Sequence, residues 1–133
     1  MPYSCRIDTT AKIAFVIAED PLDRDSSVRE MFALAARPDF VADINLLVDT
    51  RGARYLPTVD DAYHLAEIQS RREVFGGRRI AVVTDSDAHV GLVNMVAGLM
   101  ELDHTETRTF RDVEDAVLWL RHDAEPTAAQ AHG

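Results

Sequence analysis

Two apolar runs in this sequence are each followed by acidic residues, and these are the side chains best placed to do chemistry. Asp49 follows Ile44-Asn45-Leu46-Leu47-Val48, while Asp85 and Asp87 follow Arg79-Ile80-Ala81-Val82-Val83-Thr84. If both runs are strands of one sheet, the three carboxylates converge on its carboxyl edge, where open α/β sheets bind their ligands. Three carboxylates there would hold Mg²⁺ and support phosphoryl transfer or hydrolysis. A receiver-type site of that kind also needs a lysine after the last strand, and the sole lysine, Lys12, precedes the second one. Helix capping accounts for Asp85 and Asp87 without any ion, so the metal-dependent reading ranks last and no metal is assigned.

Between the Asp49 strand and the next helix lie Thr50, Arg51, Gly52 and Arg54, and Thr58 opens that helix. Arginines beside the free amides of a helix start suit a phosphate or carboxylate. Asp49, Thr50, Arg51, Arg54 and Thr58 are therefore the candidate ligand or anion site, with pairing of the arginines to Asp49, Asp60 or Asp61 as the alternative. The histidines are scattered and form no ligand pair, although His64 and His89 could face one cleft. The sequence contains no Gly-x-Gly-x-x-Gly, no Walker lysine, no Gly-x-Ser-x-Gly and no His-Glu-x-x-His, so no catalytic residue and no cofactor is assigned.

The elements that must position these residues follow from periodicity. Tyr3 to Asp8 alternates weakly, and the turn residues Asp8-Thr9-Thr10-Ala11 lead into an apolar strand, Ile13 to Ala18, which predicts a hairpin. Residues 20–25 read as loop, and Ser27-Val28-Arg29-Glu30 as a capping box opening a first helix that Pro38 ends near Arg37. After the Asp49 strand, a second helix runs from Thr58 to about Phe75 and stops at Gly76-Gly77. Strand 79–84, helix three from Ala88 to Leu102, strand 106–110 and a fourth helix opened by Asp112-Val113-Glu114-Asp115 complete the order ββαβαβαβα. Such alternation predicts an α/β fold with a mainly parallel sheet and an antiparallel edge strand. Residues 1–122 read as a single domain, and 123–133, where Ala recurs among Gln, Pro, Thr and Gly, as a disordered tail.

Helix three carries the most unusual surface. Val90, Leu92, Val93, Met95, Val96, Ala97, Leu99 and Met100 surround its axis, relieved by Gly91, Asn94 and Gly98. A helix apolar all round is buried on both faces or meets a partner. Val90, Gly91, Val93, Asn94, Met95 and Gly98 are the candidate interface, and a homodimer is the simplest partner. The net charge of −9 argues against nucleic acid and anionic membranes. Cys5 is the only cysteine, which excludes an internal disulfide. No secretory signal and no apolar stretch long enough to cross a membrane is present, so a cytoplasmic location is expected.

Val48-Asp49-Thr50-Arg51, the strand Arg79-Ile80-Ala81-Val82-Val83 followed by Val90-Gly91-Leu92, and the terminal Phe110-Arg111-Asp112 with Ala116 and Trp119-Leu120 occur in an order that resembles the STAS-like, SpoIIAA-like family. The likeness spans about residues 3–121, and its bacterial stand-alone branch is the best match. The resemblance implies a non-enzymatic binding or regulatory module that takes a protein partner or a small anionic or apolar ligand. It also admits a small lipid or acyl-ligand carrier, whose mark would be an apolar pocket walled by helices two and three. Regulatory members are phosphorylated in a D-S-S-G-type turn at the start of the second helix. This chain reads Leu56-Pro57-Thr58-Val59 there, so Thr58 is expected to be a structural cap.

Overall fold

The computed structural model describes residues 3–20, 22–101 and 105–122, with 99–101 and 122 in backbone only. The expected tail at 123–133, and Leu102 at the expected end of helix three, lie outside the described residues. The elements run β1 (Tyr3–Asp8), β2 (Ile13–Glu19), α1 (Arg24–Ala35), β3 (Asn45–Gly52), α2 (Val59–Gln69), β4 (Arg79–Val83), α3 (Asp87–Glu101), β5 (Glu106–Phe110) and α4 (Val113–His122). The five strands form one sheet in the order β1-β2-β3-β4-β5. Only β1 is antiparallel, pairing with β2, while β2 to β5 are mutually parallel. This is the ββαβαβαβα fold that the alternation of periods predicts.

Turn chemistry sets the hairpin. The Asp8 carboxylate accepts from the amides of Thr10 (3.0 Å) and Ala11 (2.9 Å), an Asx turn that reverses the chain. Lys12 then takes a left-handed φ of 61°, and its carbonyl accepts from the Asn45 amide at 2.9 Å. Across the sheet centre, Val16, Val48 and Val82 lie side by side in register. β-branched side chains fit such a pleat.

Successive strand residues point to opposite faces, and each face has its own core. Ala14, Val16, Leu46 and Ile80 pack with Met31 and Leu34 of α1, Ala62 and Ala66 of α2 and Val96 of α3. Ile13, Leu47, Ala81 and Val83 pack under Ala116 and Leu120 of α4. At about 25 cal/mol per Å², each fully buried Leu or Ile contributes roughly 2 kcal/mol.

Two helix ends differ from the sequence expectation. α1 starts earlier than the Ser27 box implies, because Asp23 is the cap: its carboxylate accepts from the Ser26 amide at 2.7 Å, and the Ser26 hydroxyl accepts from the Asp23 amide at 3.1 Å. Residues 24 and 25 thus belong to the helix rather than a loop, and Ser27 lies inside the first turns, its hydroxyl 2.8 Å from the Tyr3 hydroxyl. α2 ends at Gln69, not Phe75. Arg71 receives the Val74 and Gly76 amides at its carbonyl, so the chain coils in turns that bury Val74 and Phe75 instead of continuing the helix. Arg78 fastens this segment to the one before β3. Its guanidinium donates to the carbonyls of Val41 (2.8 Å) and Ile44 (2.6 Å) and stacks 3.7 Å over the Phe40 ring.

Gly76 has no room for a side chain: a Cβ there would meet the Ser70 carbonyl oxygen at 2.6 Å. Gly76→Ala is expected to lose roughly 1–3 kcal/mol in urea unfolding, whereas a neutral result would show that the 70–77 turns relax freely. The Thr58 hydroxyl accepts from the Asp61 amide at 3.1 Å. Thr58→Ala should cost about 1 kcal/mol and Thr58→Ser almost nothing, and phosphothreonine at this position in cell-derived protein would contradict a purely capping role.

Candidate functional site

The layer of α1, α2 and α3 does not close completely onto the sheet. Small residues on the inward side of α2, Ala62 and Ala66, leave a cavity of about 150 Å³. Its floor is Val48, Ile80 and Val82, and its walls are Leu65 of α2 with Leu92, Val93 and Val96 of α3 and Met31 of α1. Its lining includes the polar residues Tyr3, Ser27, Thr50, Tyr55, Gln69, His89 and Thr107, and among the described residues no Asp, Glu, Lys or Arg lines it. The sequence reading named helices two and three as the walls of a possible apolar pocket, and a cavity stands between them.

Two of the polar groups are notable. The Tyr55 hydroxyl is shielded from solvent and has no hydrogen-bond partner among the described residues. An unpaired buried hydroxyl costs about 1–3 kcal/mol. Burial raises its pKa, as it does for Tyr3, so both phenols keep their protons at neutral pH. His89 sits with Nδ1 at 3.4 Å from the Thr50 hydroxyl and 3.3 Å from that of Thr84. Thr50 gives its own hydrogen to the Val83 carbonyl at 2.9 Å, so toward His89 it is an acceptor and favours the tautomer with hydrogen on Nδ1. Burial lowers the His89 pKa, which favours the neutral ring.

The residues selected from the sequence are sorted by the pleat of β3. Thr50 faces the cavity. Asp49 lines a second concavity, of about 310 Å³, on the opposite face of the sheet, with Phe15, Ile17 and Val113. Arg51 binds Asp49 in a two-point pair, Nε–Oδ1 at 3.0 Å and Nη2–Oδ2 at 2.8 Å. The Arg51 guanidinium holds the Asp49 carboxyl below the usual carboxylate range. Arg54 is exposed, its amide donating to Asp20 at 2.9 Å. Thr58 caps α2. Of these five, only Thr50 reaches the cavity.

The three carboxylates do not meet. Asp85 is exposed, Asp87 pairs with Arg111, and Asp49 is taken by Arg51. Among the described residues, no three His, Cys, Asp or Glu side chains gather closely enough to hold a metal ion. The sheet order gives the reason. Every strand lies beside its predecessor, so there is no point at which the strand order reverses to open a crevice at the carboxyl edge.

On α3, Gly91, Asn94, Met95 and Gly98 are exposed, and Val90 is half-buried. Val93 lines the cavity. The side chains of Leu99 and Met100 lie outside the described residues. His64 is exposed on α2, away from the cavity lining that holds His89. Sequence reasoning missed Tyr55. Its only sequence signal was an aromatic residue in the loop between β3 and α2, three positions before the cap of α2.

Neither a family model nor a curated protein matches the chain. A solved structure does: an uncharacterised protein of the DUF3478 family with a SpoIIAA-like fold, from Shewanella loihica PV-4. It aligns with 89% of this chain and 91% of its own, at a TM-score of 0.56 and 14% sequence identity. Identity at that level speaks for the fold alone. Among the described residues no helix is long and apolar enough to cross a membrane. Strand order, the antiparallel edge strand and this likeness together give the protein a SpoIIAA-like α/β fold.

Proposed function

We propose that the protein is a non-enzymatic, STAS-like binding module whose ligand is a small apolar molecule held between the sheet, α2 and α3. The observation that carries this reading is the cavity itself, walled by apolar side chains, with Tyr55 in its lining and the hydroxyl of that residue unpaired among the described residues. Binding sites are typically apolar concavities with a few polar groups that orient the ligand. The anion site at Asp49, Arg51 and Arg54 is less well supported, because Asp49 already neutralises Arg51.

A second reading concerns α3. Met95 is 46% exposed, and a Cβ on Gly91 or Gly98 would meet nothing within 4 Å. That open face suits close approach of a second copy, so a homodimer through α3 is proposed alongside ligand binding. Because Val93 lines the cavity, Met95→Glu is the cleaner probe. Light scattering should show a dimer at high micromolar concentration that the substitution splits while circular dichroism stays unchanged. A folded wild type that remains monomeric ends this reading.

For the ligand, native mass spectrometry of gently purified protein should show a retained small molecule. NMR titration with a panel of small apolar compounds, charged and uncharged, should shift the amides of Ala62, Ala66, Leu92 and Val96. Ala66→Met, which fills the space, should abolish both signals. Silence from every member of the panel would remove the reading.

The site also sets a pH dependence of stability. With the folded pKa of His89 lowered, the unfolded chain binds more protons once the pH falls below about 6.5. Stability is therefore fully present above that pH and falls as the pH drops toward the folded value. Between about pH 7 and pH 5 the Tm should decline less steeply in His89→Gln than in the wild type. Equal slopes would show that the imidazole is not desolvated.

A further inference from the structure

We infer that the cavity selects an uncharged molecule of about the size of a single aromatic ring, carrying one hydroxyl or carbonyl group, and rejects its anionic counterpart. This rests on the cavity being the binding site and specifies what that site accepts.

Charge comes first. Among the described residues, no ionisable acid or base other than His89 and the two tyrosines lines the space. A carboxylate or phosphate placed there would lose its hydration with no cation to replace it, and that loss exceeds what neutral donors return. Arginines on the neighbouring elements do not line the cavity either: Arg24 lies against Asp25 and Asp61, Arg51 against Asp49, and Arg54 is exposed. The net charge of −9 adds repulsion for an approaching anion.

Polarity comes second. A purely apolar guest would leave the Tyr55 hydroxyl buried and unpaired. A ligand oxygen brought against it would satisfy it, and Thr50 and His89, which also line the cavity, offer further neutral partners. The Tyr3 hydroxyl is committed to Ser27 at 2.8 Å, which leaves the Tyr55 hydroxyl as the phenol that lacks a partner among the described residues. Size comes third. At about 150 Å³, the cavity matches an engineered apolar cavity of roughly the same volume that admits benzene. A long acyl chain would project from it.

The test uses three molecules of one shape: benzyl alcohol, toluene and benzoate, each titrated into the wild-type protein near neutral pH and followed by amide chemical shifts. Benzyl alcohol should bind most tightly and benzoate at least tenfold more weakly. In Tyr55→Phe, affinity for benzyl alcohol should fall about three- to tenfold while toluene is unaffected. Toluene binding thereby serves as the control that the variant retains its cavity. Benzoate binding as tightly as benzyl alcohol would overturn the inference and leave the cavity as a ligand site. An unchanged benzyl alcohol affinity in a Tyr55→Phe protein that still binds toluene would also overturn it. Failure of all three to bind the wild type would remove the ligand reading and this inference with it.

Discussion

Right-handed connection of parallel strands, applied to a sheet whose strands follow one another in simple order, places every crossover helix on the same face. α1, α2 and α3 join β2 to β5 in that way and share one layer. α4 follows the last strand and has no further strand to reach, so it is free to cover the opposite face, where it packs over β3, β4 and β5. Three helices compete for space over a narrow sheet, and α2 accommodates this with alanines where it meets the strands. The cavity is the residue of that compromise. It lies beneath the helices because a sheet of this order has no reversal point at its edge.

Much of this was legible in the sequence. Element order came from the switch between two-residue and helical periods, whereas a pocket walled by helices two and three was implied only by the family resemblance. The cap at Thr58 followed from residue type and position. What was not legible came from tertiary geometry. Thr50 and its neighbours Asp49 and Arg51 look like one cluster along the chain, but a strand sends adjacent side chains to opposite faces. Asp23 displaced Ser27 as the first cap because Ser26 could complete the box and Ser27 had Tyr3 to bind. Residues 70–77 left the helix because burying Val74 and Phe75 required a turn that Gly76 permits.

Charge is distributed accordingly. Pairs such as Lys12–Asp43 and Arg37–Asp39 sit at the surface, where water screens them and each contributes little. Arg78 differs: it is partly buried, feeds backbone carbonyls and lies on an aromatic ring. Its role is to join the connection before β3 to the one before β4, so that the two central strands enter the sheet from a common anchor.

The neighbour-by-neighbour strand order also bears on how the chain reaches this structure. Each strand after β1 needs only its predecessor as a template, so the sheet can grow in the direction of synthesis, beginning with a hairpin that closes over a short turn. Each later addition must close a loop containing a whole helix, which is slower than forming a local hairpin. Until it does, the newest strand presents an open edge to solvent. The last such edge belongs to β5, whose alternation of Glu106 and Arg108 with threonines is poorly suited to recruiting a foreign strand.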